Sequence, residues 1–362
     1  MAGVSVDTVG LTFTRYLDGV VETLNHTSKS RNLVRKDDNW TGAHIEGRIH
    51  TARSTAIGYV EDGGAFPVAD KQDYTPYKVG RKYIVGSIQL TDGSMATAAK
   101  SPNVARDVIT SEVKGMMNNI LKFENGMFFR DGTGAVATLT GGNVSATSTT
   151  NVDVSDARML WDGGTYEMRD AAAIGTKHGE IVVSSVEQDM NASGNPELTI
   201  ASPGLPASLA SGDFLVWKGS VNRAITGLDK LISDSLTGTF QNVTTATYPR
   251  YSSLVMDNNT VKRDLTPSLF RQMLAGIMSR TGSERPADGL TVLCNSWQAI
   301  NVEELYEGEL RLTPDSTVGG LKVASFQSAL GKIDIMVDTD CLYNKMFFAD
   351  FSKIYRGVQK SL

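Results

Sequence analysis

One stretch limits what this chain can fold into: Ser101 to Phe129, SPNVARDVITSEVKGMMNNILKFENGMFF. Ala105, Ile109, Val113, Met116, Ile120, Phe123 and Met127 recur every three or four residues and lay one apolar stripe along a helix. Ser101 offers a hydroxyl cap, and Pro102 suits the first helical position, where the missing N–H is no loss. Asp107 and Glu112 precede Lys114 and Lys122, the order the helix dipole favours. Gly115 weakens the middle by about 1 kcal/mol relative to alanine. At about 1.5 Å per residue such a helix is roughly 40 Å long. A stripe of that length needs a sheet or a neighbouring subunit along it.

The chain has 362 residues, enough for one large core or two to three smaller ones. Its net charge of −5 argues against sequence-independent DNA binding through a basic face. No apolar run reaches the length of a membrane span. The opening MAGVSVDTVG lacks the charged and apolar regions of a signal peptide, so folding in a cytoplasm is expected. Cys294 and Cys341 each sit in an apolar run and read as buried thiols rather than a disulfide or metal site. Asn-x-Ser/Thr triplets such as Asn25-His26-Thr27 and Asn242-Val243-Thr244 carry no meaning without a secretory route.

On the N-terminal side of the helix, Phe13, Leu17, Val20, Val21 and Leu24 give a short amphipathic helix followed by the polar SKSRNLVRKDDNW. An amphipathic helix outside a compact domain needs a surface to lie on. A long hairpin comes next, with HIEGRIHTARSTAIGYV leading up and YKVGRKYIVGSIQL leading back. In the returning limb Tyr77, Val79, Arg81, Tyr83 and Val85 alternate with Lys78, Gly80, Lys82 and Ile84. EDGGAFPVADKQDY makes a turn-rich tip. An isolated two-stranded hairpin is marginal in water. It either lies against another chain or folds onto its own domain.

After the helix, RDGTGAV is not a phosphate loop, since no Gly-Lys-Ser/Thr follows and no helix opens there. It reads as the helix exit turn. Residues 135–224 turn rich in Thr, Ser, Gly and Val, with strand-like runs GEIVVSSVE, PELTIAS and GDFLVWKG. Turns fall at Asn191–Pro196 and Ser211–Asp213, which indicates a small β module with Trp161, Tyr166 and Trp217 in its core. Beyond it, AITGLDKLISD is a short helix. In DLTPSLFRQMLAGIMSRTG, Asp264 or Thr266 caps, Pro267 opens and Gly282 closes a helix whose stripe is Leu269, Met273, Leu274, Ile277 and Met278. DGLTVLCN is a buried strand, SWQAINVEELYE a helix, and KIDIMVD and KMFFADF are strands. This alternation defines a second α/β core.

Little in the chain suggests catalysis. His26, His44, His50 and His178 are scattered, and there is no G-x-S-x-G elbow. Asp334, Asp338, Asp340 and Asp350 cluster in sequence, where turn chemistry competes with a metal reading. A sugar-binding face would rest on the aromatics of the β module alone. No catalytic, cofactor-binding or metal-binding residue is assigned.

The order of arm, long hairpin, long helix, Gly turn, then helix–strand–helix–strand resembles the major capsid protein of tailed bacteriophages, the Hong Kong 97-like fold. RDGTG at 130–134 is similar to the turn ending that family's spine helix. The family's Gly-Leu segment matches Gly227-Leu228, which makes 135–224 an insertion. DGLTVLCNSWQAI at 288–300 and GGLKVASFQSALGKIDIMVDTDCLYNKMFFADFS resemble the family's strand-then-helix element and closing pattern. The resemblance implies an α+β fold. It divides the chain into an N-terminal arm (1–50), an extended hairpin loop (51–95), a peripheral domain with the spine helix (96–134), the inserted β module (135–224), a peripheral-domain return (225–262), an axial domain (263–350) and a C-terminal segment (351–362).

The function so implied is assembly into pentamers and hexamers of an icosahedral phage head that encloses double-stranded DNA without reading its sequence. An encapsulin-like shell is the alternative. Scaffolding, portal and decoration proteins are the implied partners besides the chain itself, with assembly in the host cytoplasm and residence in the virion. No membrane or cofactor is implied. Against the family's pattern, either the return to the peripheral domain is very short or the polypeptide continues beyond Leu362, and, with the arm following Met1 almost directly, the resemblance implies a separate scaffolding protein or none. Phe66, Lys71, Lys78, Arg81, Lys82 and Tyr83 on or near the hairpin are the candidate intersubunit contacts. Some members join a hairpin lysine to an Asn of the next subunit. Lys71 sits between Asp70 and Asp73, which favours the charged amine, so a non-covalent shell is expected. The β module is expected to fold separately, on the shell exterior.

Overall fold

The computed structural model describes residues 30–37, 42–89, 102–140, 151–172, 174–187, 195–201, 209–234, 239–258, 263–281, 289–306, 317–318, 321–322, 324–328 and 331–358. The amphipathic helix expected around Phe13–Leu24, the Ser101 cap, most of the Asn191–Pro196 turn and the Gly282 stop lie outside them. Described residues within 83–226 form one compact unit, and those within 33–82 and 227–358 form another.

The chain's first strands are β1 (Arg35–Asp37), β2 (His44–Ala52) and β3 (Asp73–Gly80). β2 and β3 pair antiparallel, with His44 opposite Gly80 and His50 opposite Tyr74. A one-residue shift after His50 then sets Ala52 opposite Asp73. Ile45 and Ile49 of β2 and Thr75, Tyr77 and Val79 of β3 form the half-buried face, as the alternation of Tyr77 and Val79 with Lys78 and Gly80 requires. The returning strand nevertheless begins at Asp73 and ends at Gly80, rather than running from Tyr77 to Val85. Pro76 is compatible with it. The Lys78 N–H points away from β2, donating to the Gln241 carbonyl at 2.8 Å. Pro76, two residues earlier, faces the same outer side, so the ladder loses no donor.

The second unit along the chain is built on α1 (Pro102–Phe128), one continuous helix of 27 residues across Gly115. Its burial deepens along its length: Val113 is exposed, Met116, Ile120 and Phe123 are half-buried, and Met127 is buried. The backbone at Gly86 crosses α1 against Met116 and Ile120. Six strands follow: β4 (Ala135–Thr138), β5 (Asn151–Asp153), β6 (Thr165–Arg169), β7 (Lys177–Glu187), β8 (Glu197–Ile200) and β9 (Phe214–Trp217). All neighbours are antiparallel, in the order β4-β9-β6-β7-β8-β5. A Leu139–Val154 bridge, with Thr140 N–H on the Asp153 carbonyl and Ser155 N–H on the Thr138 carbonyl, joins β5 back to β4. The module is therefore a closed six-stranded barrel, which removes the exposed edges of an open sheet.

Val136, Val152, Tyr166, Met168, Ile181, Val183, Leu198 and Leu215 fill the interior of the barrel. The expected aromatics are there: the Trp217 ring lies 4.8 Å from Trp161 and 5.0 Å from Tyr166. The barrel does not complete this core alone. Met127 belongs to it, and Phe123 packs on it, its ring 5.6 Å from Trp217. Helix and barrel share one core, against the expectation of a module that folds separately.

The helix exit turn is the joint between them. In RDGTG the Asp131 carboxylate accepts both the N–H and the hydroxyl of Thr133. Gly134 sits at φ +89° with its α-carbon pressed against Ser220, where no side chain fits. Asn222 N–H donates to the Thr133 carbonyl at 2.7 Å. The segments leading into and out of the barrel thus lie side by side. Asp156 adds a buried ionic clamp: its carboxylate accepts from Arg130 at 3.0 Å and from Arg158 at 2.7 and 2.8 Å. Burial alone would push this carboxyl up, but the Arg158 hydrogen bonds and the Arg130 charge outweigh it and hold it below the usual carboxylate range.

The remaining elements are α2 (Leu228–Leu231), β10 (Thr239–Phe240), β11 (Val243–Thr244), α3 (Pro267–Thr281), β12 (Thr291–Cys294), α4 (Ser296–Tyr306), β13 (Thr317–Val318), β14 (Leu321–Lys322), β15 (Ala324–Ser328), β16 (Gly331–Val337), β17 (Phe347–Ala349) and β18 (Tyr355–Gly357). They belong to the unit that contains the hairpin. A mixed sheet in the order β15-β16-β12-β17 carries the core, with β12 parallel to β16. Phe270 and Leu274 of α3 and Ala299 and Val302 of α4 pack with Val292, Cys294, Ile333 and Ile335. Phe270, absent from the expected stripe, is more buried than Met273 or Met278.

Capping follows sequence chemistry. Thr266 accepts from Leu269 N–H at 3.3 Å and opens α3. Asn295 accepts from Trp297 N–H while Gln298 accepts from Asn295 N–H, a reciprocal cap on α4. Asp338 and Asp350 accept backbone N–H groups two residues on, from Asp340 and Ser352, so they serve turns. Cys294 and Cys341 are buried free thiols.

Candidate assembly interface

Past the end of the β2–β3 ladder the hairpin continues without strand hydrogen bonds, yet its limbs stay matched. Thr55 donates both its N–H and its hydroxyl to Asp70 Oδ2, at 3.0 and 2.9 Å. Ser54 donates its hydroxyl to the Asp70 carbonyl, and Lys71 N–H donates to Asp70 Oδ1. Farther out, the α-carbon of Gly58 faces the Pro67 ring. Glu61 and Gly64 close the turn through Gly64 N–H on the Glu61 carbonyl at 2.8 Å. Ala52–Asp73, Thr55–Asp70, Gly58–Pro67 and Glu61–Gly64 keep one register from the ladder to the tip. These hydrogen bonds, the Thr55 N–H first, hold the Asp70 carboxyl below its usual range.

The outer part of this arm carries large apolar side chains that its own chain does not cover. Phe66, Ile57 and Val68 are each 88% exposed, and Tyr59 is fully exposed. Exposed apolar groups grouped on one loop mark an interaction site. Of the residues expected at the interface, Phe66 lies at the centre of this patch. Lys71 is exposed, 3.7 Å from Asp73. Lys78 is half-exposed and pairs with Glu46 at 2.7 Å, where Glu46 also accepts from His44. Lys78 is the leading cause of a lowered Glu46 carboxyl. Arg81, Lys82 and Tyr83 follow the end of β3 and are exposed. Ile57, Tyr59 and Val68 were not among the named candidates; Val68 lies in the turn-rich tip and Ile57 and Tyr59 in the limb just before it, and all three are uncovered.

A second exposed apolar pair lies on α4. Trp297 (63% exposed) and Ile300 are three residues apart and share one side of the helix. From the sequence SWQAINVEELYE reads only as a helix of the second α/β core; the Ala299–Val302 spacing of the buried side leaves Trp297 and Ile300 facing out.

The other chemical candidates disperse. His50 stacks near Tyr74, and His178 lies 3.6 Å from Asp213; His26 is outside the described residues. Among the described residues no three His, Cys, Asp or Glu side chains gather as metal ligands. No helix among them is long and apolar enough to cross a membrane.

A family model described as SU10 major capsid protein matches residues 109–361, well over half of the chain. The chain belongs to that family. As an SU10 major capsid protein it is a structural component of a virion shell, and the encapsulin alternative finds no support. Among solved structures it is similar to a chain described as "Cyanophage A-1(L) capsid asymmetric unit", at 14% identity over 95% of this chain and 77% of that chain, with a TM-score of 0.51. At that identity the likeness is one of fold: a mixed helix-and-sheet capsid fold. No curated protein matches.

Proposed function

We propose that this capsid protein builds its shell through the hairpin, which reaches over a second copy and buries Ile57, Tyr59, Phe66 and Val68 there. The observation that carries the reading is a register-matched arm whose large side chains are all uncovered. Its base is held by its own chain through the Lys78–Gln241 hydrogen bond, so only the outer part, beyond Ala52 and Asp73, is free to reach out.

In this reading the chain has the Hong Kong 97-like division into arm, hairpin loop, spine-helix peripheral domain with an inserted β module, and axial domain. Pentamers and hexamers form the head. The protein is not an enzyme. Scaffolding, portal and decoration proteins are its partners, assembly takes place in the host cytoplasm, and double-stranded DNA is enclosed without base-specific contacts. Side-by-side segments leading into and out of the barrel support an insertion, because a module inserted into a loop leaves where it enters. Individually weak contacts suffice, since many per subunit act together. In this reading the hairpin lysines serve ion pairs, Lys78 with Glu46 and Lys71 with Asp73, and the shell has no covalent links.

Replacing residues 54–71 by Asn-Gly tests the arm, because that dipeptide closes a two-residue turn on the facing pair Arg53 and Gln72. The expected product is a folded, soluble subunit that forms no closed shells. Wild-type particles from this variant overturn the reading.

A further inference from the structure

The register of the arm decides what its patch looks like. In the register that Thr55–Asp70, Gly58–Pro67 and Glu61–Gly64 define, Ile57 stands opposite Val68 and Tyr59 opposite Phe66. Opposite residues in an antiparallel pair share a face, and so do residues two apart on one limb. That register therefore sets the four apolar side chains on one side of the arm, each almost wholly uncovered. A slip of one residue, back to the register that holds from His44 to His50, would set Ile57 opposite Pro67 and Tyr59 opposite Ala65 and break that alignment. No ladder hydrogen bond guards against that slip between Arg53 and Gln72, and Pro67 has no N–H to give.

We propose that Asp70 is the positioning residue of the arm: its carboxylate, received by Thr55, fixes the register that aligns Ile57 with Val68 and Tyr59 with Phe66 for docking on a second copy of this chain. The proposal rests on the arm reading above. Asp70 suits the task because one carboxylate takes three donors from both limbs: the Thr55 N–H, the Thr55 hydroxyl and the Lys71 N–H. Charged acceptors make the stronger hydrogen bonds. Asp70 is itself exposed and belongs to neither core, so its removal costs the fold little while freeing the arm to sample other registers. A pre-ordered arm docks without paying for that ordering at assembly.

The test compares five variants by the protein concentration needed for shell formation, read by light scattering, and by amide exchange over residues 53–72. Asp70→Ala and Thr55→Val are expected to fold with unchanged melting, exchange faster in the arm, and raise the critical concentration, by about tenfold for Asp70→Ala. Thr55→Ser, which keeps both donors, behaves as wild type. In the Asp70→Ala background, Gly58→Cys with Pro67→Cys locks the facing pair by a disulfide. Oxidation restores assembly and reduction abolishes it again; Cys294 and Cys341 are buried and do not compete.

Asp70→Ala assembling at the wild-type concentration, or not being rescued by the oxidised pair, overturns the proposal. Phe66→Ser separates this from failure of the arm reading. If Phe66→Ser assembles normally, the arm is not the contact. If it fails while Asp70→Ala succeeds, the arm is the contact and Asp70 does not set it.

Discussion

Asp156 is the best place to test how the helix is tied to the barrel. It is 5% exposed and holds Arg130, just beyond α1, and Arg158, in the loop before β6. Asp156→Ala takes from two nearly buried guanidinium groups the carboxylate to which both donate. Removing one partner of a buried ion pair costs about 3–5 kcal/mol, a large share of a total stability of about 5–15 kcal/mol. For a unit of this size, roughly 2–4 °C of melting temperature is lost per kcal/mol, so a fall of about 10 °C is expected. Differential scanning calorimetry of the dissociated subunit reads it. The triple variant Arg130→Met, Asp156→Leu, Arg158→Met is the control, since an apolar replacement of the whole cluster avoids the unpaired charges and recovers most of the loss. The clamp also has a pH signature. Its carboxyl is lowered in the folded state, so its contribution is complete above the unfolded carboxylate value and is lost as pH falls through the lower folded value. A melting temperature within about 2 °C of wild type for Asp156→Ala would refute the reasoning, because a charge pair worth so little is not holding a joint.

Four further outcomes follow from the same contacts. Tyr166→Phe leaves the Trp161 N–H, now 2.8 Å from the Tyr166 oxygen, without its acceptor inside the barrel; a loss of about 1–3 kcal/mol in chemical denaturation is expected. Replacing the barrel, residues 136–217, by a flexible linker exposes Met127 and Phe123 and is expected to melt the last turns of α1, visible as lost helical circular dichroism. Cys294, whose thiol burial pushes up to about 12, and Cys341 are expected to resist aromatic disulfide reagents until the chain is unfolded. Trp297→Ala is expected to leave melting unchanged and to raise the critical concentration for assembly about tenfold, since an exposed Trp is a frequent anchor of interfaces.

Elements with a strong local period were legible in the sequence. The α1 stripe and the buried β12 run each state their structure within a few residues, and Thr266 was one of the two caps offered for α3; the Asn295 cap was not read from the sequence. The hairpin was legible as a hairpin, but its returning strand was placed four residues late. Gln72 to Pro76 look like turn chemistry, and they can be strand only because the Pro76 nitrogen, which carries no hydrogen, faces away from β2. The barrel was legible as β and no further. β4, β5 and β6 are three to five residues long, too short for a period to show, and its closure rests on the Leu139–Val154 bridge, a contact no local pattern encodes. For the same reason the sharing of its core by Met127 and Phe123 was hidden: both belong to the α1 stripe and gave no sign of which partner they met. On the outer arm, Phe66 was the one residue of the proposed patch named from the sequence. The Asp70 hydrogen bonds that align it depend on register, which composition does not carry.

The central claim is that copies of this chain assemble into a shell through the hairpin arm. Electron cryo-microscopy of the assembled wild-type protein tests it most directly. Closed particles hundreds of ångströms across are expected, with Tyr59 and Phe66 buried against a neighbouring subunit. A small fixed oligomer, or closed shells in which Tyr59 and Phe66 still face solvent, would contradict it.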